Sequence, residues 1–211
     1  MKTIILSEGK NDRKFIKCFF ERHGINGDKI QFFDQEEKSI LKELDRAESN
    51  YLRNFFEDSS PFEVLVKSEG GKTKVIRIFS DFMHHLFDYS KGLKIIMLVD
   101  LDGTELSSVT KLNQFITELR NKIQNKGKGN KLSISHEILK EDKHLKTSEV
   151  SVIIKENNDI LGSFCLIAFN SSLERAAGII KESDSQDEKD NKIFELLENE
   201  DVFNHLSYAL M

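Results

Sequence analysis

Leu93-Lys-Ile-Ile-Met-Leu-Val-Asp-Leu-Asp-Gly-Thr104 decides the fold. Its first seven residues form a nearly continuous apolar run, the pattern of a strand covered on both faces. An amphipathic period over residues 107–124 follows, so the unit reads strand, turn, helix. A strand of this kind alternating with helices belongs to a parallel sheet in an α/β protein. Ligands of such sheets bind just beyond the carboxyl ends of the strands, which is where Asp100 and Asp102 fall.

The same unit recurs upstream. Thr3-Ile-Ile-Leu6 is a short buried strand ended by Ser7-Glu8-Gly9, with a helix after it capped by Asn11, lined by Phe15, Ile16, Phe19, Phe20 and His23, and closed by Gly24. Lys29-Ile-Gln-Phe-Phe33 is a second short strand, and residues 36–56 carry a helical period. After Pro61, the single proline, Phe62-Glu-Val-Leu-Val-Lys67 is a strand, Ser68-Glu-Gly-Gly-Lys72 a turn and residues 75–89 a helix. Downstream, residues 131–139 and 150–155 read as strands, a hairpin at the sheet edge. Phe164-Cys-Leu-Ile-Ala-Phe169 is a further buried strand and residues 173–181 a helix. A charged loop over 183–191 leads to a terminal amphipathic helix over 193–210 whose stripe includes Phe194, Leu197, Val202, Phe203 and Leu206.

With 211 residues, the chain supports one sizeable core, so one α/β domain over 1–211 is expected, with insertions at about 35–58 and 127–158. No apolar run approaches the roughly 20 residues that span a bilayer. Met1-Lys2 leads straight into a strand rather than a secretory leader, and Cys18 and Cys165 lie in apolar contexts far apart, as buried thiols do in a reducing compartment. A cytoplasmic protein without membrane contact is the expectation.

The net charge of −5 argues against holding a polyanion by bulk electrostatics. Local basic sources are Lys10, Arg13, Lys14 and Lys17, and the stretch 120–131. The plainer reading of both is a solvated helix face and a loop. At the strand ends the sign reverses. Glu8, Asp100 and Asp102 converge there in the assembled sheet, and Asp12 points back from the first helical turn, where it also complements the helix dipole. Four carboxylates so close repel and raise one another's pKa unless a cation neutralises them. Oxygen donors without His or Cys suit Mg²⁺ or Mn²⁺.

Leu6-Ser-Glu-Gly-Lys-Asn-Asp12 before a helix, and Met97-Leu-Val-Asp-Leu-Asp102 after a later strand, resemble the Glu-Gly-x-x-Asp and Asp-x-Asp signatures of the Toprim family, which includes topoisomerases, bacterial primases, small RNA maturases and OLD-family nucleases. The Ser68-to-Lys72 turn looks like the glycine-containing turn between them in small stand-alone Toprim-like proteins. The resemblance covers about 1–125, with the strand at 164–169 a further member of the sheet. It implies a Toprim-like, Rossmann-like, mainly parallel sheet flanked by helices, with inserted segments and a C-terminal helix. It further implies Mg²⁺-dependent action on nucleic-acid (DNA or RNA) phosphodiesters by a nuclease or an accessory nuclease subunit. On that pattern Glu8 is the metal-linked acid or base, Asp100 and Asp102 are metal ligands, and Asp12 is the second acid of the nuclease branch. Glu174 is a further acid of OLD-like members. Lys10 and Lys72 contact phosphate oxygens, with the Gly70-Gly71 backbone allowing close approach. A topoisomerase's tyrosine gate, a primase's zinc segment and the OLD-like ATPase half are missing from the pattern.

Asp100-Leu-Asp-Gly-Thr104 also resembles the first motif of haloacid-dehalogenase-like phosphatases, which implies Asp100 as nucleophile, Asp102 as acid/base and Ser171 as the later hydroxyl. That reading leaves the Glu8 motif unexplained, and Asp184-Ser-Gln-Asp187 follows no strand. Gly71-Lys72-Thr73 fails as a nucleotide-binding P-loop because Val66 stands where a glycine is required. A module of the same fold that binds nucleic acid or protein without catalysis is the third reading. The terminal helix's stripe fits either its own sheet or a second subunit, so a homodimer or a partner protein stays open.

Overall fold

The computed structural model describes residues 2–33, 55, 61–88, 93–125 and 131–210. They run β1 (Lys2–Ser7), α1 (Lys10–Arg22), a 3-10 turn (Gly27–Lys29), β2 (Ile30–Phe33), β3 (Val64–Ser68), α2 (Lys72–Asp88), β4 (Leu93–Asp100), a second 3-10 turn (Glu105–Ser107), α3 (Ser108–Gln124), β5 (Leu132–Glu141), β6 (Leu145–Ile154), β7 (Ile160–Phe169), α4 (Leu173–Ala176), α5 (Gln186–Glu198) and α6 (Glu200–Leu210). One seven-stranded sheet has the order β2-β3-β1-β4-β7-β6-β5. β2, β3, β1, β4 and β7 are parallel, and β6 runs antiparallel between β7 and β5. The expected α/β class, mainly parallel and flanked by helices, is what the chain forms.

Both faces of the central strands are covered, which explains their unbroken apolar sequence. Along β4, Ile95, Met97 and Val99 enter one core with Phe79 and Met83 of α2 and Leu112 and Phe115 of α3. Ile96 and Leu98 enter the other, with Phe15 and Phe19 of α1, Leu197 of α5 and Leu206 of α6. The strand's period of two is therefore present but hidden, because both sets of side chains are buried. Each of these large side chains contributes about 1.5–3 kcal/mol through removal from water.

The chain turns to opposite sides of the sheet from β1 and from β4. From β1 it crosses by α1 on one face toward β2 and β3, and from β4 by α3 on the other face toward β5, β6 and β7. The crevice beyond the carboxyl ends of β1 and β4 is therefore a topological switch point, the customary ligand position in such sheets.

Several elements depart from the sequence expectation. Gly9, not Asn11, precedes the first turn of α1. The hairpin expected at the sheet edge is there, but β6 begins at Leu145 and is ten residues long. The expected helix over 173–181 is one turn, Leu173–Ala176, with Gly178 at φ +69 just beyond it. The charged loop over 183–191 contains the start of α5. Ser185 accepts from the Glu188 amide while the Glu188 carboxylate accepts from the Ser185 amide, a capping box. The terminal helix is two helices: Asn199 is extended, and its Oδ1 accepts from the amides of Asp201 (3.0 Å) and Val202 (3.3 Å). Phe194 faces outward, 49% exposed, while Ile193, Leu196 and Leu197 of the same helix are buried. α6 packs on β6 and β7 of its own chain. The expected helix over 36–56 lies outside the described residues apart from Phe55, which is buried in the first core. No helix among the described residues is long and apolar enough to cross a membrane.

Candidate metal centre

Glu8 follows β1 directly, and its half-buried side chain crosses to the neighbouring strand, where Oε1 accepts the Asp100 amide at 2.8 Å. The Gly70-Gly71-Lys72 turn wraps the same residue from the other side. Gly70 and Gly71 take φ +70 and +126, conformations that fit glycine. They let the Gly71 amide donate to the Glu8 carbonyl at 2.9 Å and bring the Lys72 amide to the Glu8 carboxylate. The turn thus cradles Glu8, and it presents the Lys72 ammonium to the crevice, 2.7 Å from Asp102 Oδ2. Lys10 is exposed in the first turn of α1.

Asp12 is 5% exposed. Its Oδ2 accepts the amides of Glu8 (2.8 Å) and Gly9 (2.9 Å), so one oxygen caps α1 and fixes the Glu8 backbone. Asp100 Oδ1 accepts the Leu173 amide at 3.0 Å, which ties β4 to the start of α4. Asp102 has φ +53, and its side chain is largely exposed on the rim. Glu174, one residue beyond Leu173, receives the Asn11 amide group at 2.9 Å and lies near enough to act on both Asp12 and Asp100.

The electrostatics follow from this crowding. Burial, with the Glu8 charge adding to it, pushes the Asp12 carboxyl up to about 7. Burial, then Asp12 and Glu8, pushes Asp100 up to about 8. Burial also raises Glu8, opposed by the Asp100 amide and Lys72. In metal-free protein near neutral pH, part of the set therefore carries protons. The donors are hard oxygens short of countercharge, a set that suits Mg²⁺ or Mn²⁺. Among the described residues, however, no three acidic, imidazole or thiol side chains stand as a finished shell around one point. Glu8, Asp12 and Asp100 each commit an oxygen to backbone amides, and Asp102 pairs with Lys72. An ion would draw on the remaining oxygens and displace Lys72 from Asp102.

Of the expected basic surface, Lys14 pairs with Asp190 of α5 at 2.6 Å and Arg13 lies over the Phe32 ring. Residues 126–130 of the second basic stretch lie outside the described residues. Asn11, expected to cap the first helix, stands instead inside its first turn, at the mouth beside Glu174. No protein-family model and no curated protein matches the chain, so the crevice must be read from its own residues.

Proposed function

We propose that this chain binds Mg²⁺ or Mn²⁺ between β1 and β4 and acts there on nucleic-acid phosphodiesters, as a nuclease or as the accessory subunit of one, in the manner of Toprim-like proteins. The observation that carries the reading is the Glu8–Asp100 hydrogen bond, because it joins the two acidic motifs at the switch point of the sheet. When bound, the ion supplies charge neutralisation and polarises a phosphoryl oxygen. Asp100 and Asp102 hold it, with Asp12 lending its free oxygen. Glu8, raised by burial, is placed to accept or return a proton at the attacking or leaving oxygen. Lys72 exchanges its Asp102 contact for a non-bridging phosphate oxygen, as a point charge with three donors.

The test is cleavage of single- and double-stranded DNA and RNA in Mg²⁺ and in Mn²⁺, with thermal stability followed through the same titrations. Glu8→Gln, Asp100→Asn and Asp102→Asn are expected to lose cleavage while staying folded, and full activity in all three sinks the proposal. Metal binding without cleavage points to the non-catalytic module. A phosphoaspartate trapped on Asp100 points to the phosphatase. Against the phosphatase, Asp184 is already held by Lys192 at 2.6 Å, and Asp187 lies in the first turn of α5.

A further inference from the structure

A second polar cluster lies behind the loop that carries Asp102. In the β5–β6 turn, Asp142 Oδ1 accepts the amides of His144 (2.5 Å) and Leu145 (2.8 Å). Its Oδ2 stands 3.1 Å from Nε2 of His205 on α6, and His205 Nδ1 stands 3.1 Å from Thr147 Oγ1. Thr147 and His205 share a hydrogen bond, whereas Asp142 Oδ2 and His205 Nε2 are close neighbours that make none. With Thr147 0% and His205 1% exposed, no substrate reaches them. Asp142 Oδ1, bonded to the His144 and Leu145 amides, makes the turn itself a clamp, set beside the terminal helix.

Asn170, 3% exposed and the first residue beyond β7, connects this clamp to the crevice. Its Nδ2 donates to the carbonyls of Asp142 and Lys143, both at 3.0 Å, and its backbone amide donates to the His144 carbonyl at 2.8 Å. Its own carbonyl accepts the Gly103 amide at 3.2 Å. On either side the Leu101 amide reaches the Phe169 carbonyl at 2.9 Å and the Asp102 amide the Ser171 carbonyl at 2.7 Å. The fit is close: a Cβ on Gly103 would stand 3.0 Å from the Asn170 carbonyl oxygen. These bonds flank Asp102, whose left-handed backbone is disfavoured for a residue with a Cβ by about 1–2 kcal/mol and so needs holding.

We propose that Asn170 is a positioning residue for the Asp100–Gly103 loop: its side chain locks to the β5–β6 turn, and its backbone thereby holds Gly103 and keeps the Asp102 carboxylate at the crevice. The bond pattern makes the turn's support one-sided. Without the Asn170 amide group, the carbonyls of Asp142 and Lys143 lose their donor and the segment 169–171 keeps only its backbone bonds to the hairpin, so the loop is loosened while β1 and β3 are untouched.

The experiment is hydrogen exchange on the full chain, comparing wild type, Asn170→Ala and the α5 core variant Ile193→Ala as a destabilised control. The expected result is exchange at the Asp102 and Gly103 amides about tenfold faster in Asn170→Ala than in the control, with the β1 amides equal in the two. Equal exchange of the loop in both variants overturns the proposal. If Asn170→Ala does not fold, Asn170→Ser is judged by the same criterion. The consequence for ion binding rests on the metal reading above: Asn170→Ala should then raise the midpoint of Mn²⁺ stabilisation about tenfold, as loss of an outer-sphere support does. No Mn²⁺ response in wild type removes the metal reading alone, since the exchange comparison still decides the role of Asn170.

Discussion

Glu8 Oε1 accepts the backbone amide of Asp100 at 2.8 Å, so the side chain that ends β1 holds the backbone that ends β4. This bond needs an acceptor oxygen but no charge. Glu8→Gln should therefore keep the fold with its melting temperature unchanged or slightly higher, while losing the proposed cleavage. Glu8→Ala should unfold more easily by about 1 kcal/mol, because the Asp100 amide loses its partner. Urea unfolding separates the two variants, and equal behaviour of both contradicts this account.

The buried acids set the sign of the pH dependence. Asp12 and Asp100 titrate at about 7 and about 8 in the fold and near 4 in the unfolded chain. Between these limits the folded chain holds protons that the unfolded chain has released, so metal-free stability should fall as pH rises from 4 to 8, on the order of a few kcal/mol. His205 acts in the opposite sense. Its pKa is lowered by burial, so the unfolded chain binds a proton below 6.5 that the folded chain resists, and stability is lost as pH drops further. Unfolding in EDTA at pH 6.5 and 8.5 tests the acids: a clear decrease is expected, reduced in Asp100→Asn and reduced by Mg²⁺. Stability rising over that interval would reject the assignment.

Lys72→Gln removes a contact with a carboxylate that is 70% exposed, and such pairs contribute about 0–1 kcal/mol. Stability should barely change. If Lys72 meets a phosphate oxygen, the KM for a nucleic-acid substrate should rise about tenfold and its salt dependence should weaken by about one phosphate contact. An unchanged KM assigns Lys72 to holding Glu8 and Asp102 alone.

At the far end of β7, Gly162 has no room for a side chain: a Cβ would meet the Phe87 ring at 2.3 Å. Gly162→Ala should destabilise the chain by about 1–3 kcal/mol through displacement of Phe87. The crevice lies at the other end of the strands, so the metal midpoint should not move. A shifted midpoint would show that the two ends are coupled.

What the sequence disclosed depended on how local its signal was. The strand Leu93–Asp100 and its following acids could be read directly, since a continuous apolar run ending in Asp-Leu-Asp marks a buried strand that delivers carboxylates to the edge of an α/β sheet. Ser185-Gln-Asp-Glu188 was equally readable as a capping box, but its many charges disguise it as loop. Asn199 looks like an ordinary polar position within an amphipathic period, and only its capping of Asp201 and Val202 reveals the break. The acids at the crevice were legible by motif, whereas the turn's grip on Glu8, the Asn11–Glu174 bond and the clamp on Asn170 join residues distant in sequence and leave no periodic trace.

The meander of β5, β6 and β7 has a consequence for the order of assembly. These strands follow one another through short turns and pair with their immediate successors, whereas the bond between Glu8 and Asp100 closes over 92 residues. Local pairings form at a smaller loop-closure penalty than distant ones. The β5–β6–β7 meander is thus expected to exist before β1 docks, with Asn170 already held by the β5–β6 turn. Mutual repulsion among the carboxylates is then deferred to the closing step, and if the crevice takes a divalent ion as proposed, that ion present during refolding should accelerate that step most.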